Sequence, residues 1–335
     1  MQAPDTLRPE LLELLSKPVR ELGLKVEGSP IEPCVEQLYR ELEKKKLMKF
    51  RPPVYLTDEW GCPSGEPVIG LPFYLANPDL AQLEREMNDL EDAREIMMYL
   101  RHEAGHAFNY AYRLYNRPEW KHIFGWFRRP YRENYRPVPF SRNYVRHMAG
   151  WYAQKHPDED FAETFAVWLT PRSGWRKRYR GWGAMAKLQY MERIARELSN
   201  VDPVRKKGHT DITVEEMEIT VGELYRPAAE EVPIIDMATD ADLKDIFHGV
   251  KRGKRARPAQ LFLHEHRKAV VDKIAYWTGV QRPLVKRLVE AIETRIGELG
   301  LMADARREAE HLAEITVYAS ALAMNYLTNG KFVQP

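Results

Sequence analysis

Residues 96–111 read IMMYLRHEAGHAFNYA, the most informative segment of the chain. Its small and apolar side chains recur at three- and four-residue spacing, which is typical of the apolar face of a helix. That face consists of Ile96, Leu100, Ala104, Ala107 and Ala111. Because His102 and His106 are four residues apart, both imidazoles lie on one side of the helix, opposite the apolar face. The pattern predicts a helix over about residues 89–115 that turns two histidines towards a cleft.

The segment His102-Glu-Ala-Gly-His106 has the spacing of a zinc-binding helix. Two imidazoles at this spacing reach one ion, and Glu103 lies close enough to hold a water molecule without binding the metal. A catalytic zinc site has three protein ligands and one open position. One way to supply the third ligand is a histidine six residues after His106, with a glycine three residues before that histidine. Tyr112 and Asn109 occupy these two positions, so this arrangement is absent.

A glutamate on a later helix is the other solution. Residues 156–169 read HPDEDFAETFAVWL, and Pro157 and Asp158 favour a helix start. Glu159 and Glu163 share one face of this predicted helix, and aromatic and aliphatic residues occupy the other. Burying two carboxylates on an otherwise apolar helix costs free energy unless a metal or a histidine pairs with them. Either glutamate could be the third ligand, and a solvated acidic face is the alternative.

These two motifs together resemble the gluzincin metallopeptidases, in which HExxH is followed by a ligand glutamate on a second helix. Residues 152–165, YAQKHPDEDFAETF, resemble the matching segment of the anthrax lethal factor type of catalytic domain. Residues 53–169 also resemble bacterial zinc-binding metallopeptidases. The resemblance implies that Glu159 is the third ligand and that Glu163 accepts a hydrogen bond from a ligand histidine. It further implies that Tyr152 stabilises the oxyanion.

Taken together, the motifs predict a zinc peptidase with one zinc ion per chain. We expect Glu103 to act as the general base, which takes a proton from water and returns it to the leaving amine. Zinc and the Tyr152 hydroxyl would share the negative charge of the tetrahedral intermediate. A different class of function is a zinc-stabilised module that binds peptides or proteins with little or no hydrolysis. The presence of Glu103 favours the enzyme, because a binding site needs the ligands but not the base.

Substrate contacts are predicted around the metal helix. Residues 68–75 are rich in strand-forming residues and could form an edge strand to which an extended peptide adds, with a plain structural strand as the alternative. The candidate contacts are Gly70, Leu71, Phe73 and His147. Residues 120–151 interleave aromatic residues with arginines and predict a preference for aromatic or acidic groups in the substrate. The absence of a recognisable nucleic-acid-binding module argues against a nucleic-acid partner.

The order of predicted elements indicates an α+β chain with a small mixed sheet, and the resemblance implies a zincin-like catalytic domain over residues 51–226. An N-terminal helical segment covers residues 1–50. Residues 227–257, which include several prolines and a basic run, are predicted to be a linker or surface excursion, and residues 258–335 a C-terminal helical module. Within the catalytic domain, residues 211–224 are predicted to form a short hairpin or strand pair.

The composition excludes several classes of protein. With 44% hydrophobic residues, 30% charged residues and a formal net charge of +2, the chain of 335 residues has an ordinary globular composition. Cys34 and Cys62 are its two cysteines, which argues against a disulfide scaffold and a cysteine-based zinc site. We find no start typical of a signal peptide and no apolar stretch of about 18 residues. We therefore expect a cytoplasmic enzyme with no membrane partner.

Overall fold

The computed structural model describes residues 9–87, 90–132, 135–225, 240–248, 256–330 and 332. These residues divide into two compact units. The first unit contains the described residues up to 225, apart from 135–140 and 148–151. The second contains those two short segments together with the described residues from 240 onwards. The predicted linker, 227–257, lies outside the described residues except at 240–248 and 256–257.

Helices dominate the first unit. Their bounds are α1 Pro9–Ser16, α2 Glu32–Lys44, α3 Pro78–Met87, α4 Ala93–Ala111, α5 Pro118–Phe124, α6 Pro157–Leu169, α7 Trp175–Arg178, α8 Ala184–Glu197 and α9 Val221–Leu224. Short 3₁₀ segments cover Val19–Leu22, Phe73–Ala76, Leu114–Asn116, Ala149–Gln154 and Val214–Glu216. The predicted helices that carry the two motifs are confirmed as α4 and α6.

Capping residues explain where α4 and α6 begin. Asp92 accepts hydrogen bonds from the backbone N–H groups of Arg94 and Glu95, and the Glu95 carboxylate accepts one from the Asp92 N–H. This reciprocal capping box satisfies donors that a helix start leaves unpaired. At α6, the His156 imidazole accepts a hydrogen bond from the Asp158 N–H.

A small mixed sheet precedes these helices. Strand β1, Val54–Thr57, pairs in parallel with β2, Ile69–Pro72. On the other side of β2, Gly70 forms an antiparallel bridge with Gly61, donating its N–H to the Gly61 carbonyl at 2.8 Å and accepting in return at 3.4 Å. As predicted, β2 is an edge strand, since it is the second of two strands in this sheet. At Gly70 alone among the described residues of the strand, the chain between the strands folds back and pairs with its free side.

The predicted hairpin over residues 211–224 is also wrong. This stretch contains a 3₁₀ segment, Val214–Glu216, followed by the short helix α9. Thr213 is followed three residues later by Glu216, and Thr220 by Glu223. Each pair forms a capping box. A threonine followed at this spacing by a glutamate favours a helix start over a strand.

The N-terminal helix α2 packs in the same core as the catalytic helices. Val35, Leu38 and Leu42 of α2 are buried in a cluster that also includes residues of α4 and α6. A buried, bidentate ion pair joins the two helices: Arg101 of α4 donates Nε and Nη2 to the Glu41 carboxylate at 2.7 and 2.8 Å. Residues of the predicted N-terminal segment are thus part of the first unit.

Gly105 allows α4 and α6 to approach closely. A Cβ atom at Gly105 would lie 2.7 Å from the Ala162 Cα and 2.9 Å from its carbonyl oxygen. Both are backbone atoms, so the helices would have to move apart to remove this steric clash.

We therefore expect Gly105→Ala to lower the free energy of unfolding by about 1–3 kcal/mol, the usual cost of overpacking, and to weaken zinc binding. Urea unfolding and zinc titration would measure the two effects. Gly297→Ala is the control, because a Cβ there meets the end of the flexible Gln260 side chain. Wild-type stability of Gly105→Ala would contradict the argument.

Three long helices build the second unit, as predicted for the C-terminal module. The elements are α10 Asp240–Ile246, β3 Ala256–Pro258, α11 Ala259–Thr278, α12 Arg282–Glu298, β4 Met302–Asp304 and α13 Glu308–Asn329. Strands β3 and β4 pair in antiparallel fashion. The unit has its own apolar core, to which α12 contributes Val285, Leu288, Val289, Ile292 and Ile296.

None of the helices in the described ranges combines the length and apolar character that a bilayer crossing requires.

Candidate metal centre

Helices α4 and α6 bring His102, His106 and Glu159 together. The Glu159 Oε2 lies 3.0 Å from the His102 Nε2 and 3.2 Å from the His106 Nε2, and the two imidazole nitrogens are 3.1 Å apart. All three side chains are buried. Among the described residues, these three side chains form a group whose arrangement could hold a metal ion.

The spacing of these three atoms fits zinc. A tetrahedral site with bonds of about 2.0–2.1 Å places its ligand atoms about 3.3 Å apart. The distances between the nitrogens of His102 and His106 and the Glu159 oxygen are close to that value. Two imidazole nitrogens and a carboxylate oxygen are also a donor set that zinc prefers. A cation at the centre of the triangle would satisfy all three buried atoms.

Electrostatics at the cluster favour positive charge. Burial opposes protonation of His102, but hydrogen bonds to Glu159 and Glu163 raise its pKa to about 9. Burial likewise opposes protonation of His106, while the charges of Asp158 and Glu159 raise its pKa well above the ordinary value. A buried site that stabilises imidazolium in this way also stabilises a bound cation.

Glu163 lies behind His102, on the side away from the cluster. Its Oε1 is 3.3 Å from the His102 Nδ1, and its Oε2 accepts a hydrogen bond from the His147 backbone N–H at 3.1 Å. The His147 Nε2 lies 3.0 Å from the Met98 carbonyl oxygen. His147, predicted as a substrate contact, is thus bonded to Glu163 and to the backbone of α4. Carboxylates in this position fix the orientation of a ligand histidine.

Asp158 has the same relation to His106, and sequence reasoning missed it. Its Oδ2 lies 3.0 Å from the His106 Nδ1. Asn109 donates to Oδ1 at 2.7 Å, and the hydroxyl groups of Tyr110 and Tyr131 donate to Oδ2, the latter at 3.4 Å. From the sequence, Asp158 is predicted only to favour the start of a helix. Asn109 and Tyr110 follow His106 by three and four residues, so two polar side chains on its face indicated a buried polar partner.

Tyr152 lies beside the cluster. Its ring centroid is 5.7 Å from that of His102, and the Lys155 Nζ is 5.3 Å from the Tyr152 ring. The two preceding residues, Gly150 and Trp151, have left-handed backbone conformations with φ of 76° and 50°. The aromatic side chain predicted to act on the substrate therefore neighbours a candidate ligand.

Glu103, on α4 between the two histidines, is buried and interacts electrostatically with His102, His106 and Glu159. Burial raises its pKa, and the two histidines oppose that rise. Its carboxylate is thus held next to the cluster without being one of its three converging groups.

The strand predicted to bind substrate is largely buried, with Tyr74 partly exposed. Leu71 and Phe73 are buried in the core, with exposed fractions of 0% and 3%. Gly70 has both of its backbone groups bonded to Gly61. Gly70 and Leu71 lie in β2, and Phe73 begins the 3₁₀ segment that follows it. A role of these three residues in substrate binding stays a prediction.

Comparison with known proteins identifies the same region. Residues 68–221 match the model of a family described as "Putative zinc-binding metallo-peptidase". Searches of the curated proteins and of the solved structures found no match to the chain. The matched segment contains α4 and α6 and all three members of the buried cluster. Residues 68–221 are thus similar to this family of zinc-binding metallopeptidases, and the chain has a zincin-like α+β part and a C-terminal helical module.

Proposed function

We propose that the protein is a gluzincin-type peptidase, which hydrolyses peptide bonds in peptide or protein substrates with one zinc ion per chain. The observation that carries the proposal is the convergence of His102, His106 and Glu159 at distances suited to zinc, with Glu103 beside them. Three ligands on two helices leave the fourth position open for chemistry, as catalytic zinc sites do.

The reaction needs a base near the attacking water. When bound, zinc supplies a Lewis acid that polarises the peptide carbonyl and makes water acidic enough to lose a proton near neutral pH. Glu103 accepts that proton and later delivers it to the leaving amine. Its raised pKa suits the first step, because a buried carboxylate holds a proton more firmly than an exposed one.

Other residues of the chain orient the ligands and stabilise charge. Glu163 and Asp158 hold the outer nitrogens of His102 and His106, which keeps both inner nitrogens aimed at one point. Tyr152 is the proposed donor to the oxyanion that forms when the carbonyl is attacked, and the position of its ring beside His102 supports this role.

Zinc removal tests the proposal directly. The full chain, purified with zinc, is expected to cleave an unfolded protein or members of a peptide library. A chelator should abolish cleavage, and one equivalent of zinc per chain should restore it. Zinc binding with no cleavage of any substrate would instead favour the peptide-binding module.

Tyr152→Phe is expected to lower kcat by about 100- to 1000-fold, the usual cost of one lost oxyanion donor. KM should change little, because the hydroxyl acts mainly in the transition state. Steady-state kinetics on a peptide substrate would measure both constants. Tyr115→Phe, a change at a partly buried tyrosine stacked on Phe127, serves as the control and should retain wild-type kinetics. Equal activity of the two variants would exclude the oxyanion role.

A further inference from the structure

A cavity of about 340 Å³ lies near the C-terminal ends of α2 and α6. Four of the side chains that line it are cationic: Lys45, Arg172, Arg176 and Lys177. Thr170 and Ser173 add hydroxyl groups to the lining. The residues proposed to bind zinc and substrate do not line this cavity, so the proposed peptidase chemistry leaves it without a role.

The cationic side chains of the cavity are poorly balanced by acids. Arg176 is paired with Glu192. Lys45, Arg172 and Lys177 form no ion pair with any side chain of the described ranges. Like charges gathered around a concave surface raise the local concentration of anions. A multivalent anion bound in the cavity would neutralise this charge, whereas a bound cation would increase the repulsion between the side chains.

Lys45 is the inner member of the group. It is partly buried, and its Nζ lies 4.4 Å from the centre of the buried Trp168 ring. Burial lowers its pKa, Glu192 opposes that effect and Arg176 adds to it. The protein therefore keeps an ammonium group in a partly desolvated place beside another cation. An anion bound in the cavity would relieve both costs.

The loop after α6 has a conformation that carries strain. Arg172 has a left-handed backbone with φ of 56°, and Gly174 follows with φ of 60°. A left-handed conformation is ordinary for glycine but uncommon for a long side chain such as arginine. Strain of this kind persists where the surrounding structure enforces it and clusters at binding sites.

We propose that this cavity binds a small anion that carries more than one phosphate group. Arginine side chains match phosphate oxygens with paired hydrogen bonds, and the lysines add point charge. A volume near the lower end of the range for ligand pockets suits a small molecule. Single-stranded nucleic acid fits less well, because it stacks its bases on open aromatic rings. Trp168 and Trp175, the neighbouring aromatic side chains, are buried.

Calorimetric titration of the zinc-loaded full chain with tripolyphosphate tests this site. We expect one saturable site whose affinity falls at least 10-fold in Lys45→Met and in Arg172→Gln. Methionine preserves the packing of the lysine stem on Trp168 while removing its charge. Arg180→Gln is the matched control, because Arg180 is an exposed arginine near the cavity that does not line it. Its affinity should stay within about 2-fold of wild type, and thermal unfolding should show that all variants are folded.

Three results would overturn the proposal. Wild-type protein could show no saturable binding at low salt. Binding could persist in Lys45→Met and Arg172→Gln, which would place the anion elsewhere, for example on the metal itself. Finally, a single-stranded RNA oligonucleotide could bind more tightly than tripolyphosphate. If Arg180→Gln then weakened RNA binding as much as Lys45→Met and Arg172→Gln do, the binding site would be an extended basic surface instead of this cavity.

Discussion

Glu103→Gln is expected to lower kcat/KM by about 100- to 10,000-fold, the contribution usual for a general base. The amide has nearly the shape of the carboxylate but cannot accept a proton at neutral pH. Because Glu103 is not one of the three converging groups, zinc affinity should remain close to that of the wild type. Peptide hydrolysis and zinc titration on the same preparation would measure the two quantities.

A matched control separates loss of the base from loss of a surface charge. Glu43→Gln makes the same chemical change at an exposed position of α2 and should leave both activity and zinc affinity unchanged. If Glu103→Gln cleaved peptides as fast as Glu43→Gln, the base would have to be another residue. If the wild type bound zinc but cleaved nothing, the comparison would support the zinc-stabilised binding module.

Glu159→Gln and Glu163→Gln form the second test, since the two glutamates lie one turn apart on α6 and receive the same substitution. Losing the side chain that orients a ligand typically costs about 10- to 100-fold in metal affinity. We expect a loss in this range for Glu163→Gln, because Glu163 contacts the outer nitrogen of His102. For Glu159→Gln we expect a larger loss, because its oxygen is one of the three converging atoms.

Competition with a zinc-binding dye would rank the affinities of the two variants. Both should be compared by thermal unfolding in the presence of chelator, so that a folding defect is not mistaken for loss of a ligand. A larger loss in Glu163→Gln than in Glu159→Gln would reverse the assignment and make Glu163 the ligand. Equal losses of zinc affinity would contradict the proposal that Glu159 binds the metal while Glu163 only orients His102.

Local patterns in the sequence were sufficient for the elements that carry the site. The spacing of apolar and polar residues predicted α4 and α6, because an α-helix has 3.6 residues per turn whatever surrounds it. The same spacing placed His102 and His106 on one face of α4. The three long C-terminal helices followed from their apolar stripes for the same reason.

Local patterns did not reveal the backbone pairing at Gly70, and they gave the wrong structure for residues 211–224. The exposure of β2 depends on Gly61, which lies nine residues before Gly70 and leaves no mark in the strand's own composition. The stretch 211–224 has strand-like residues, but two capping boxes start helical turns in it. Backbone pairing of β2 is settled by which segments fold back on each other, so alternation of residue types alone does not reveal it.

Local sequence was enough to predict the candidate ligands: two histidines with a glutamic acid between them on one helix, and acids on a second. Only the tertiary structure decided which acid meets which histidine. The packing of α6 on α4, which the absence of a side chain at Gly105 allows, places Glu159 between the two imidazoles. It also turns Glu163 and Asp158 to their outer nitrogens. The relative rotation and separation of two helices depend on all the side chains at their contact, so no single motif encodes them.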